Sequence, residues 1–110
     1  MSKRCRLLIR ILFVAALSLV LALPALAAGN NARGKELINS SGCKGCHKID
    51  GKGGALGPAL DGVGKRLSAA QLRQKLVNPK AKNPSSMMPS FSYLPQKDLQ
   101  ALVDYLERLK

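Results

Sequence analysis

Cys43-Lys44-Gly45-Cys46-His47 is the stretch of this 110-residue chain in which reactive side chains are spaced for one task. In a single helical turn, positions i, i+3 and i+4 share a face, so both thiols and the imidazole project the same way. Each thiol can add across one vinyl group of a porphyrin, and the adjacent imidazole can then reach the iron. C-x-x-C-H is the sequence of c-type haem attachment for that reason. Competing chemistries fit less well. A redox dithiol sits beside a βαβ pattern, and no strand-like alternation is visible here. A structural zinc site takes four Cys or His ligands, and beyond residue 28 the chain offers three. A disulfide across two residues would leave His47 without a role.

The elements that must carry this turn are short. All 10 glycines lie between Gly29 and Gly64, and four of the six prolines lie between Pro79 and Pro95. The glycines mark a loop-rich first half and the prolines an extended segment in the second. Three stretches read as helices. One spans about Ala32 to Ser40, with Asn31 as its N-cap and Leu37 and Ile38 on its apolar face. The next opens with Ser68-Ala69-Ala70-Gln71, a capping box, presents Leu72 and Leu76, and ends at Asn78-Pro79. The last runs from near Pro95 to the C-terminus, with Leu99, Leu102, Val103 and Leu106 at i, i+3, i+4 and i+7. Asp98 near its start and Arg108 and Lys110 near its end suit the helix dipole. The expected fold class is all-α.

This inventory leaves a deficit. Aromatics are 4% of the chain and Trp is absent, so three short helices bury little bulk. Chains of this size commonly need a staple or a bound group to complete a core. The 18 residues from Asn78 to Pro95 would be a long structureless loop in a small domain, unless draped over such a group. The glycines at 51, 53, 54 and 57 permit close backbone approach to it.

The first residues have a different character. Lys3, Arg4, Arg6 and Arg10 precede an apolar run from Ile11 to Leu23, followed by Pro24-Ala25-Leu26-Ala27-Ala28. A positive start, an apolar stretch and a small-x-small end are the parts of a secretory signal peptide, with cleavage expected after Ala27. The competing reading is an uncleaved anchor, since the uncharged run is 18 residues, at the lower limit for crossing a bilayer. Cys5 would leave with the leader. Residues 1–27 are thus expected to be the signal peptide and residues 28–110 one domain, with 14 basic against 6 acidic residues and a net charge of +8. Export places the chain in the periplasm or outside the cell, and removes nucleic acid as a partner.

The chain resembles the small monohaem class I cytochromes c. Gly34-Lys35-Glu36-Leu37-Ile38 looks like the family's first helix, whose glycine lets the terminal helices cross closely, and Tyr105 matches the aromatic packed at that crossing. Gly57-Pro58-Ala59-Leu60 is similar to the segment whose proline carbonyl accepts a hydrogen bond from the ligand imidazole. Met88-Pro89-Ser90-Phe91 is similar to the segment that carries the sixth iron ligand. The resemblance implies three to four short helices wrapped around one covalently attached haem c. Its thioether bonds would go to Cys43 and Cys46, and its iron would sit between His47 and Met88. The residues themselves support a methionine: His47 is the sole histidine, and the remaining soft donors are Met87 and Met88. Met88 is preferred because it directly precedes the proline, and Met87 is the second choice. Pro95 stands where relatives often carry a serine cap.

With both axial positions filled, the iron can mainly change charge. The implied function is a one-electron carrier between larger redox partners in an extracytoplasmic respiratory or oxidative chain, not an enzyme. A peroxide- or gas-handling haem enzyme needs an open iron position and an acid or base, and beyond His47 none stands out. The alternative is a fixed haem relay inside a membrane-associated oxidase or reductase, its leader kept as an anchor. Lys44, Lys48, Lys52, Lys80, Lys82 and Lys97 are placed to rim the haem edge and steer docking onto an acidic surface. The expectation is a monomer, associating at most peripherally with a membrane.

Overall fold

The computed structural model describes residues 3–20 and 23–110, with side chains described for residues 3–13 and 28–110. Five α-helices occur among them: α1 (Lys3–Val20), α2 (Leu23–Ser40), α3 (Val63–Arg66), α4 (Ala69–Val77) and α5 (Gln96–Arg108). A 3₁₀ turn covers Cys43–Gly45, and a two-stranded ladder pairs β1 (Lys48–Ile49) with β2 (Lys52–Gly53). Among the described residues, no helix is long and apolar enough to cross a membrane. Ala25 and Ala27, which the proposed cleavage would recognise, lie outside the described side chains.

The helix that carries Leu37 and Ile38 starts earlier than its sequence suggests. It begins at Leu23, not near Ala32, so Asn31 is helical and caps nothing. Pro24 falls in the first turn, where a missing N–H costs no helical bond, and Ala25, Ala27 and Ala28 propagate the helix cheaply. Helix α4 matches its expected boundaries. Ser68 Oγ accepts from Gln71 N at 3.3 Å while Ser68 N donates to Gln71 Oε1 at 2.9 Å, completing the reciprocal cap.

The core forms where α5 crosses α2 and α4. Leu99, Leu102, Val103 and Leu106 are all buried, as the spacing along α5 requires, and they meet Leu37 and Ile38 of α2 and Leu72 and Leu76 of α4. Each fully buried side chain of this kind is worth roughly 1.5–3 kcal/mol. The α2–α5 crossing is close because Gly34 has no side chain: a Cβ there would run into Ala101 O and Tyr105 Cβ. Polar contacts lock the same crossing. Arg33 Nε and Nη2 donate to the two carboxylate oxygens of Asp98 at 2.9 and 2.8 Å, and Asn30 Nδ2 donates to Asp104 at 3.0 Å. Pro95 offers no side-chain cap to α5, and Asp98 serves the crossing instead.

The short ladder departs from a purely helical chain. Asp50 (φ 53°) and Gly51 (φ 69°) both take positive φ, the backbone of a type I′ two-residue hairpin turn, for which Asp-Gly is a preferred pair. The strands are two residues each, too short to show alternation. From Asn78 to Pro95 there is neither helix nor strand. That segment is pinned by Phe91 N to Leu76 O at 2.8 Å, by Ser90 Oγ to Val77 O at 2.7 Å, and by the buried Phe91 ring.

Candidate haem-binding site

The Cys43–His47 segment is one closed turn. Gly42 enters it at φ 74°, Cys46 N donates to Cys43 O at 3.2 Å, and His47 N donates to the same carbonyl at 3.0 Å. The i, i+3, i+4 geometry read from the sequence is therefore the geometry of the backbone. Cys43 is half-buried against the core and Cys46 is exposed. Burial pushes the Cys43 thiol up in pKa, so it rests as a protonated thiol.

Beyond this turn the chain folds back on His47. The Nδ1 atom of His47 lies 2.7 Å from the Pro58 carbonyl oxygen. A carbonyl can only accept, so Nδ1 carries the proton and Nε2 keeps its lone pair for a metal. Gly57 stands directly against the ring, and its N–H donates to Cys46 O at 2.8 Å. Leu60 N donates to Lys48 O at 2.8 Å, tying the same loop to the hairpin.

The two methionines differ. Met88 is half-buried and packs on the hydrophobic core, which Cys43 also touches, whereas Met87 is 80% exposed. Both methionines line an open cavity of about 340 Å³ whose walls include Val77, Pro79 and Pro89. Only the 77–90 segment lines that cavity; Cys43, Cys46 and His47 do not contribute to it. The six lysines expected to rim the haem edge, Lys44, Lys48, Lys52, Lys80, Lys82 and Lys97, all face solvent.

These residues fit a covalently held porphyrin. Two thiols and a correctly protonated imidazole share one turn, a mainly apolar cavity lies beside a thioether, and Gly57 leaves the ring room. The sequence signature of the cytochrome c family matches residues 31–110. The chain belongs to the cytochrome c family. Members of that family carry haem c on a C-x-x-C pair, here Cys43 and Cys46, and transfer electrons as carriers rather than enzymes.

Three relatives place the domain in context. The chain is 36% identical over 107 residues to the cytochrome c-type cyt cy of Rhodobacter capsulatus, covering 78% of this chain and 52% of that protein. It is 35% identical over 80 residues to the Cbb3-type cytochrome c oxidase subunit CcoP of Helicobacter pylori, covering 71% and 27%. It is 29% identical over 86 residues to cytochrome c oxidase subunit 2 of Alkalihalophilus pseudofirmus, covering 71% and 25%. The chain thus spans about half the length of the first and about a quarter of the other two. No solved structure matches it significantly.

Several parts of the site went unread in the sequence. The contact of Gly57 with the imidazole, the Asp50-Gly51 turn, and the polar ties of Asp61 and Arg66 to the loop were all missed. Asp50-Gly51 between two lysine-bearing dipeptides was a legible hairpin signal. The others join residues whose types are ordinary and whose proximity only the fold creates.

Proposed function

We propose that this chain is a monohaem cytochrome c that carries one electron at a time between larger redox proteins outside the cytoplasm. Cys43 and Cys46 would hold the haem through thioether bonds, and His47 Nε2 and Met88 Sδ would bind its iron, with Met87 the second choice. The observation that carries the reading is the 2.7 Å contact of His47 Nδ1 with the Pro58 carbonyl, which leaves Nε2 as a free donor. The bound haem would supply a single ferric/ferrous couple.

The chain's own residues set the rest. The Pro58 carbonyl holds the proton at Nδ1 and raises the basicity of the imidazole. The neutral thioether of Met88 would favour the ferrous state and a positive potential. With His47 and Met88 both bound to it, the iron would have no place for a substrate. The exposed lysines attract an acidic docking surface, which makes association fall with salt. In this reading residues 1–27 are an export leader removed after Ala27, and residues 28–110 work as a monomer.

Carbon monoxide added to the reduced holoprotein at neutral pH tests the ligation. Little or no binding is expected; ready binding would mean an open iron position and would overturn the carrier reading.

A second reading has support in the relatives. Two of the three are oxidase subunits of which the matching region makes up about a quarter, which supports the alternative of a fixed relay. Intact mass of the protein from its host separates the two. A chain that begins at Ala28 favours the mobile carrier, and one that keeps its leader and co-purifies with an oxidase favours the relay.

A further inference from the structure

Helix α4 ends on two carbonyls that the Met88 segment takes up. The last four carbonyls of a helix have no partner within it. Here Leu76 O accepts from Phe91 N at 2.8 Å, and Val77 O accepts from Ser90 Oγ at 2.7 Å. The first bond uses the main chain, which any residue but proline would offer at position 91. The second exists only because residue 90 carries a hydroxyl. That hydroxyl also accepts from Ser92 N at 3.2 Å, so it ties the segment to itself as well as to the helix. From Ser90 back to Met88 the path is stiff. Pro89 fixes its own φ, and Met88, standing before a proline, is steered to extended backbone. Met88 packs on the core at the end of this short link, while Met87 is exposed.

We propose that Ser90 is a positioning residue for Met88: its hydroxyl, hooked on Val77 O, holds the segment on α4 and so strengthens the hold of the methionine on the iron. Ser90 Oγ is no ligand itself and acts through the chain. For an outside ligand to take the place of Met88, the segment must lift from the helix. A bond that breaks on lifting therefore adds to the grip of the methionine. The proposal rests on Met88 being the axial ligand, and its test reports on that separately.

Imidazole is titrated into the ferric holoprotein, where it competes with the methionine for the iron, and its half-saturating concentration is read from the visible spectrum. The chains compared are the wild type, Ser90→Ala, Ser90→Thr and Ser85→Ala, the last at a serine that bonds Asn83 through its amide and not its hydroxyl. Each is repeated in combination with Met88→Leu. With Met88 in place, Ser90→Ala is expected to lower the half-saturating concentration about fivefold, the net worth of one hydrogen bond. Ser90→Thr keeps the hydroxyl, and it and Ser85→Ala are expected to match the wild type. In the Met88→Leu chains the Ser90 change is expected to have no effect, because no thioether is left at 88 to position; a merely structural role would persist there. A shift of less than about twofold in Ser90→Ala overturns the proposal. So does an equal shift in Ser85→Ala, in Ser90→Thr or in the Met88→Leu chains. If Ser90→Ala does not accumulate, Ser90→Val against Ser90→Thr, two side chains of one shape, decides by the same measure. Met88→Leu that binds imidazole no more tightly than the wild type would defeat the ligation reading and this proposal together; tighter binding in Met88→Leu with Ser90→Ala unchanged defeats this proposal alone.

Discussion

Gly57 stands so close to His47 that a Cβ built on it would lie 2.5 Å from Cε1 and 2.7 Å from Nδ1 of the ring. Either the imidazole or the loop must move if that space is filled. Gly57→Ala is therefore expected to break the Nδ1 contact with Pro58 and to cost about 1–3 kcal/mol of holoprotein stability. Denaturant unfolding checks the stability, and a displaced potential checks the ring; a variant unchanged in both would contradict the geometry.

Gly34→Ala tests the helix crossing. Alanine normally gains about 1 kcal/mol over glycine inside a helix. Here the added methyl meets the Ala101 carbonyl and Tyr105 Cβ, neither of which is a flexible chain end. Overpacking of about 1–3 kcal/mol is expected to reverse the sign, so the variant melts lower, as calorimetry of the holoprotein would record.

Met88→Ala and Met87→Ala separate the two thioethers. Met88 is half-buried on the core, and Met87 is solvent-exposed. Replacing Met88 is expected to abolish the weak far-red band of sulfur-ligated ferric haem and to admit carbon monoxide to the ferrous protein. Replacing Met87 is expected to leave both unchanged. The reverse pattern would exchange their roles.

The Arg33–Asp98 pair predicts part of the acid response. The bidentate hydrogen bond from Arg33 holds the Asp98 carboxyl below the usual carboxylate range. A folded pKa lower than the unfolded one gives stability that is present above about pH 4 and lost as pH falls through the folded value. The wild type is expected to melt above Asp98→Asn at pH 7, with the gap closing below pH 4. A gap that persists at pH 2 would mean that the pair contributes nothing through charge.

Removing the attachment points tests the deficit in apolar bulk. The haem-free Cys43→Ser/Cys46→Ser chain is expected to be mostly unfolded, because the helices of residues 28–110 bury too little without a bound group. Far-ultraviolet circular dichroism decides it, and a native-like helical spectrum would count against the haem as part of the core.

The sequence was a good guide wherever a local rule acts alone. The face of α5, the capping box at Ser68 and the turn from Cys43 to His47 each follow from spacing within a few residues, and each is found in the fold. The start of α2 was misplaced because Gly29, Asn30 and Asn31 look like a boundary, while the helix formers before them carry the helix through. Asp98 looked like a helix-dipole residue, and its partner Arg33 lies 65 positions away on another element. The same holds for Arg66, whose two acceptors are backbone carbonyls that no residue type could announce.

The hydrogen bond between Asn30 and Asp104 has a consequence for how such a unit can be used. The path into the folded region and the path out of it run side by side. A unit entered and left at adjoining points can be spliced onto, or into, a larger polypeptide without stretching either junction. That makes it a portable cassette, in keeping with the matching portion of the oxidase subunits being only about a quarter of their length.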